Sequence, residues 1–562
     1  MKRTVLFTAG TMAAAFLSIQ GCSSDPAAGP GPSDGTPDGG VPDSGLPDGG
    51  EPDGSPPAGD CDAQGATRCD DGKVSTCELI GGSLNWSGAA YCPDNQICKG
   101  SACEPATEKQ QKQAAAVDQY ADDLRDYTGY DQGLDFPAMK KEARRILFLG
   151  DESDYALAKA VRHVFRGVPQ GHTSIGFGPN DWSACMTREA NVPLRGTSWY
   201  GVCARAAGDA SIITFAADNN PMGLKPGDQV VKVTTANGDV WQSPGFLDRI
   251  GQEPICDGSL PSKSARDDYA ASNLFALLNT GATIDVIASD GTTKTITVPE
   301  RTANYISCFD ALRRPSRTKL FESSQRADGV VVMIVPTLGN HADHPFPQDF
   351  TVENYRTWVA EGIDLIRNEL LKYSDIKGLV WDIRGNGGGS QELGIALIGS
   401  DLLGSTEGAF ANCYARVPAS DPPAFTTSEV EYPFPYQAFA DEPLPSVGFT
   451  GKQVLLVDGT AYSAADWMVQ AAKKAGVMIV GHASAGAYGY STGDSYVTKH
   501  IAPAEGVHAG ILSFISGAHC VDTATGESME GAAPIDVVVD FKASDLAAGI
   551  DTQLEAAAAL AK

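Results

Sequence analysis

The chain has 562 residues, 42% of them apolar, enough to bury two or more hydrophobic cores. Its formal net charge of −28 at pH 7 leaves no basic footprint, which excludes nucleic acid as a partner. Beyond the first twenty or so residues, no stretch is apolar and long enough to span a bilayer.

In chain order, residues 1–21 carry early basic residues, an apolar run and a small residue before Cys22, and read as an export signal. The stretch Ile19-Gln20-Gly21-Cys22 resembles a bacterial lipoprotein box, which implies a lipid on Cys22 and an anchor in a membrane without a spanning helix. The expected location is the outer membrane or cell surface, with a periplasmic or secreted form as the alternative. Residues 22–60 are mostly Pro, Gly, Asp and Ser, with proline at 37, 42, 47, 52 and 57, and read as a self-repelling spacer with no core. Six cysteines follow between Cys61 and Cys103, in a module spanning 61–104. They include no C-x-x-C pair and the module has no histidine, so disulfides are expected rather than zinc. Six further cysteines (185, 203, 256, 308, 413 and 520) are spread over the rest of the chain.

Residues 105–195 begin with a helical stretch, whose second half opens on acidic and capping residue types and ends at Gly167. HTSIGFG, from His172, then alternates like a strand. The stretch 196–300 reads as strands and turns, and 301–545 alternates strands with helices. In that last part the predicted elements are GVVVMIV, a helix near 352–371, KGLVWDI, a helix near 391–398, QVLLVD, SAADWMVQAAKKAG and VMIVG. A helical tail closes the chain at 546–562.

Two segments of this α/β part carry candidate chemistry. Ser463 opens a helix directly after a buried strand, and Asp466 three residues on makes the pair close to a capping box. The same helix terminus also suits a nucleophile, because free backbone N–H groups can hold a developing oxyanion. The glycines of WDIRGNGGGSQ let a backbone approach a ligand, and the absence of a following Lys-Ser/Thr pair excludes a P-loop. GYSTG at 489–493 spells G-x-S-x-G, but a nucleophile elbow needs a strand just before Ser491 and a helix just after it. The polar, strand-like TGDSYVTKH follows instead.

Taken together, DIRGNGGG, TAYSAAD, GHTSIGFG, GLKPGD and MEGAAPIDVVV resemble, in this order, the motifs of the carboxyl-terminal processing and tricorn-type serine peptidases. The resemblance implies an α/β (α+β) peptidase core with a helical N-terminal part and a PDZ-like insert, preceded here by the disulfide-rich module. It also implies an enzyme that needs no cofactor or metal and acts on protein or peptide substrates. Carried over residue by residue, Ser463 is the nucleophile, and the amides of Ala464 and Gly388 form the oxyanion hole. Many members use a lysine shortly after the nucleophile helix, where this chain has Ala487; Lys473 and Lys474 lie on the nucleophile's own helix. Tricorn-type members use a histidine before the insert, and His172 occupies that place, preceded by Gly171 where they have serine. Glu530 is the implied orienting acid, with Asp522 and Glu527 as alternatives.

Two other readings stay open. One is a non-catalytic member that binds peptides or an apolar ligand; the other is an esterase using Ser491. His341 and His344 lack a third ligand and read as a surface loop.

Overall fold

A computed structural model describes most of residues 61–562, and before residue 61 only Ala27 and Ala28. The longer stretches it leaves undescribed are 178–183, 187–190, 253–258, 309–318, 404–410, 427–438, 490–495 and 502–510. Cys22 and Ser491, singled out above, lie outside the described residues.

The cysteine-rich module is five short strands: β1 (Thr67–Asp70), β2 (Lys73–Ile80), β3 (Ser83–Tyr91), β4 (Gln96–Lys99) and β5 (Ala102–Pro105). Two small antiparallel sheets this size bury little, so three disulfides, Cys61–Cys77, Cys69–Cys98 and Cys92–Cys103, supply the constraint.

The helical stretch resolves into three helices, α1 (Glu108–Tyr127), α2 (Phe136–Leu149) and α3 (Asp154–Arg166). Thr107, Asp135 and Ser153 cap them, each side chain accepting a first-turn amide. Their apolar faces pack together through Val117, Leu124, Leu147, Val161 and Phe165, and the same cluster takes in Ile175, Ile511 and Ile515. That last contact matters because β6 (Ser174–Phe177) leaves the helical part to pair with a strand from the far end of the chain.

Next come β7 (Val202–Ala207), β8 (Ala210–Ala216), β9 (Gln229–Thr234), β10 (Val240–Gln242), α4 (Phe246–Gly251), α5 (Lys263–Leu277), β11 (Thr283–Ile287) and β12 (Thr293–Thr297). The strands form one antiparallel sheet with its own core of Val202, Val230, Phe246, Leu274 and Ile284. The disulfide Cys203–Cys308 ties β7 to the chain leaving this unit.

The remainder is a six-stranded sheet flanked by helices. Its strands are β13 (Glu322–Gln325), β14 (Val330–Ile334), β15 (Gly378–Asp382), β17 (Gln453–Val457), β18 (Met478–Gly481) and β22 (Val537–Val538), side by side in that order. All pairs are parallel except β13–β14. Connections run through α6 (Val352–Leu370), α7 (Gln391–Ile398) and α8 (Ala464–Lys474), whose apolar sides cover one face with Trp381, Leu393 and Met468, while α9 (Thr552–Leu560) covers the other. Outside this sheet, β16 (Ala411–Ala415) pairs with β21 (Ala518–Asp522), and Cys413–Cys520 joins them. A separate three-stranded sheet is β19 (Tyr496–Ile501), β20 (Ile511–Ser516) and β6. Parallel β14, β15, β17 and β18 are continuous buried runs, as a sheet covered on both faces requires.

His341 and His344 correct the sequence reading. Both are buried, at 2% and 4% exposure. His344 stacks on Trp358 and its Nε2 meets the Trp358 carbonyl at 3.0 Å, so aromatic packing draws this loop inward. No group of potential metal ligands occurs among the described residues, nor any helix long and apolar enough to cross a membrane.

Candidate active site

β17 ends at Val457, and the turn Asp458–Tyr462 delivers Ser463 to the position before α8. Ser463 adopts φ 60° and ψ −120°, a backbone state that costs a non-glycine residue about 1–3 kcal/mol. In this conformation its side chain makes no cap hydrogen bond, so the expected capping box is not formed. The strained turn points Oγ away from the helix and toward His172, whose Nε2 lies 3.0 Å away. Asp466 accepts the amides of Gly486 and Ala487 at 2.8 and 3.0 Å, and burial pushes its carboxyl up to about 6, offset in part by these and neighbouring hydrogen bonds.

The glycine loop after β15 closes over the same turn. Asp458 accepts the Gly385 amide at 2.9 Å, and Asn386 receives the Tyr462 amide on its carbonyl at 2.9 Å. Gly388 has φ 97°, and a Cβ there would lie 2.6 Å from Ser463 Cβ and 3.0 Å from the Ala464 nitrogen, so only glycine fits. The Ala464 amide has no acceptor among the described residues. The Gly388 amide differs from expectation: it donates to Asn386 Oδ1 at 2.8 Å and is not open toward Ser463. Arg384 and Asp382, from the same motif, form a buried bidentate pair that continues to Asp551 before α9, and so brace the loop from behind.

His172 comes from the other end of the chain, on the loop leading into β6. Gln170, fully buried, fixes this loop by donating to the Ala518 carbonyl at 2.9 Å and accepting from the hydroxyls of Thr173 and Thr128 at 2.9 and 3.2 Å. Tyr462 lays its ring 4.8 Å from the imidazole and donates its hydroxyl to the Gly171 carbonyl at 2.7 Å. His172 Nδ1 is buried and meets no partner in good hydrogen-bond geometry among the described residues. Burial pushes the imidazole pKa down to about 4, offset in part by the Gly489 backbone, so the ring is neutral near pH 7 and Nε2 can accept a proton.

Glu530 was expected to orient the imidazole. It is in the right neighbourhood but does not bond to the ring: Oε1 accepts the Gly489 amide and Oε2 the Gly171 amide, at 3.4 Å for the latter. Burial raises its carboxyl to about 8. Its alternatives lie elsewhere, since Asp522 and Glu527 close a solvent-facing turn, with Asp522 Oδ1 accepting the Thr525 amide at 3.0 Å.

The two departures at Gly171 and Ala487 are one packing solution. A Cβ on Gly171 would lie 2.1 Å from Ala487 Cβ, and Ala487 is fully buried. A small residue at each place lets the His172 loop and the 486–489 segment close on one another. Gln170 and Tyr462 were missed by sequence reasoning; Tyr462 adjoins Ser463 within TAYSAAD, whereas nothing local marks Gln170.

Residues 349–501 match the family model of peptidase family S41. The chain carries a peptidase family S41 domain. It is a serine-type peptidase, and the matched stretch holds Gly388, Ser463 and Ala464, while His172 and Glu530 lie outside it. Among solved structures, this peptidase is similar to a point mutant of CPAF, at 14% identity and a TM-score of 0.50 over 79% of this chain and 95% of that one. It is also similar to mature CPAF complexed with lactacystin, at 13% identity and a TM-score of 0.49 over 79% and 96%. A third is the photosystem II D1 C-terminal processing protease, at 13% and 0.33 over 81% and 97%. At 14% identity the likeness to the CPAF mutant concerns the fold. No curated protein matches the peptidase in sequence.

Proposed function

We propose that the peptidase cleaves peptide bonds in protein or peptide substrates through an acyl-enzyme, with Ser463 as nucleophile and His172 as general base. The observation that carries this reading is the 3.0 Å contact between Ser463 Oγ and His172 Nε2, two residues 291 positions apart, at a helix N-terminus. As Oγ attacks the carbonyl carbon, its proton passes to His172 Nε2; the imidazolium then gives that proton to the departing amine. Water attacks the resulting ester by the same route, its proton taken by His172, and Ser463 is released.

The Ala464 amide stands where the oxyanion develops, at the positive end of α8. Gly388 joins it when the substrate oxygen draws its amide away from Asn386. Glu530 acts through the backbone on either side of His172 rather than on the ring itself. The same reading places the protein outside the cytoplasm, held to a membrane by lipid on Cys22, with the spacer 22–60 between the anchor and the folded part.

A fluorophosphonate probe tests the assignment. Labelling abolished by Ser463→Ala supports it. Labelling abolished by Ser491→Ala and kept in Ser463→Ala assigns the chemistry to the elbow motif, and no labelling of the wild type marks a binding protein without the activity.

A further inference from the structure

Asp268 lies on α5, in the β-rich unit, yet its carboxylate reaches the turn that carries Ser463. It is 1% exposed. Oδ1 accepts the Ala206 amide of β7 at 3.1 Å, and Oδ2 accepts the Gly459 amide, four residues before Ser463, at 3.1 Å. His482, at the end of β18, places Nδ1 3.8 Å from Oδ2 and bonds through Nε2 to Asp540 at 2.9 Å.

The packing around this carboxylate leaves no slack. A Cβ on Gly459 would lie 2.5 Å from the Ser264 carbonyl oxygen and 2.7 Å from Ala265 Cα, so the first turn of α5 rests directly on the Ser463 turn. Ala265 and Tyr269, one helical turn apart, share a buried cluster with Tyr462 and Ala487. Next to Gly459, Asp458 lies 3.8 Å from Arg205 of β7.

We infer that Asp268 is a positioning residue for the nucleophile, holding the turn before Ser463 in the strained state that aims Oγ at His172. The inference rests on the function proposed above. Ser463 at φ 60° is held by its surroundings and not by its own preference. The Gly459 amide is the point at which another unit of the molecule grips that turn. Both carboxylate oxygens are used as acceptors, so asparagine cannot substitute: its amide group would face one of the two N–H donors and leave it buried and unpaired. A turn released at Gly459 relaxes toward ordinary φ, carrying Oγ off Nε2 and the Ala464 amide off the oxyanion position.

His482 supplies the matching charge. Burial alone would lower its pKa, but Asp268 and Asp540, the carboxylates facing it from α5 and from the segment after β22, carry it up to about 9. The imidazolium is therefore present near neutral pH and is lost as pH rises through about 9.

The test uses the full chain and the substitution Asp268→Asn, with fluorophosphonate labelling and steady-state cleavage of a peptide. We expect the labelled fraction at saturation to match the wild type, showing folded sites, while the labelling rate at Ser463 and kcat fall about 10- to 100-fold and KM stays within about twofold. Asp540 is 69% exposed, so Asp540→Asn is a second variant with little risk to folding. It should shift the alkaline limb of the kcat profile to lower pH by about one unit. A wild-type labelling rate in Asp268→Asn, a loss confined to the saturating fraction, or an unmoved alkaline limb in Asp540→Asn overturns the inference while leaving Ser463 as nucleophile. Labelling that persists in Ser463→Ala overturns the function reading and this inference together.

Discussion

The two sides of the candidate site are built differently. On the nucleophile side, Ser463, Ala464 and the glycine loop fall within one run of about eighty residues of the parallel sheet, and their placement follows from strand ends and helix starts. On the base side, His172 is held by residues scattered from Thr128 to Glu530, through Gln170, Tyr462, Gly489 and Ala518. The Ser463 turn is a product of local topology, and the His172 loop is a product of tertiary closure. Damage to each side should therefore look different.

The largest effect is expected where the sides meet. Ser463→Ala and His172→Ala should each lower kcat by at least about 10³-fold, and the double variant should lose little more, because the two act as a unit; peptide cleavage kinetics on all three check this. Gly171→Ser comes next. Its side chain would collide with Ala487, so thermal unfolding should show a loss of about 1–3 kcal/mol and kcat should fall well beyond what the unfolded fraction explains. Pairing it with Ala487→Gly should recover much of both losses.

Gln170→Ala probes the base side without touching the chemistry. It removes the donor to Ala518 and the acceptor for two threonine hydroxyls, which should cost about 1–3 kcal/mol and reduce kcat about tenfold with the phosphonate adduct still on Ser463. The smallest effect is on pH dependence. The Glu530 carboxyl titrates near 8 when folded against an ordinary 4.5, so the folded protein keeps a proton that the unfolded chain releases. That contribution is whole below 4.5 and is lost as pH rises through about 8. Tm should accordingly fall over this range in the wild type, and Glu530→Gln should flatten the slope.

The same contrast explains what was legible in the sequence. The ranges of α3, α6, α7 and α8 could be read because capping residues, 3.6-residue periodicity and terminal glycines are local signals. The motif WDIRGNGGG announced a close backbone approach, and Gly388 provides it. What could not be read was the state of individual polar groups. Ser463 looked like a cap because spacing alone cannot reveal a positive φ. The Gly388 amide looked open because its bond to Asn386, two residues away, depends on how the loop folds back. Glu530 was found by motif, but that it grips the amides of Gly171 and Gly489 rather than the ring is a fact of chain closure. His344 reads as exposed because its aromatic partner, Trp358, lies on a helix that starts several residues later.

In the proposed mechanism Ser463 takes up the acyl group with His172 as its base. The most direct measurement is trapping with an activated ester, followed by peptide mapping of the acylated protein. The expected result is an acyl group on the peptide containing Ser463, formed rapidly in the wild type, at least about 10³-fold more slowly in His172→Ala, and absent in Ser463→Ala. An acyl group on the peptide containing Ser491, or one on Ser463 formed at the wild-type rate without His172, would contradict it.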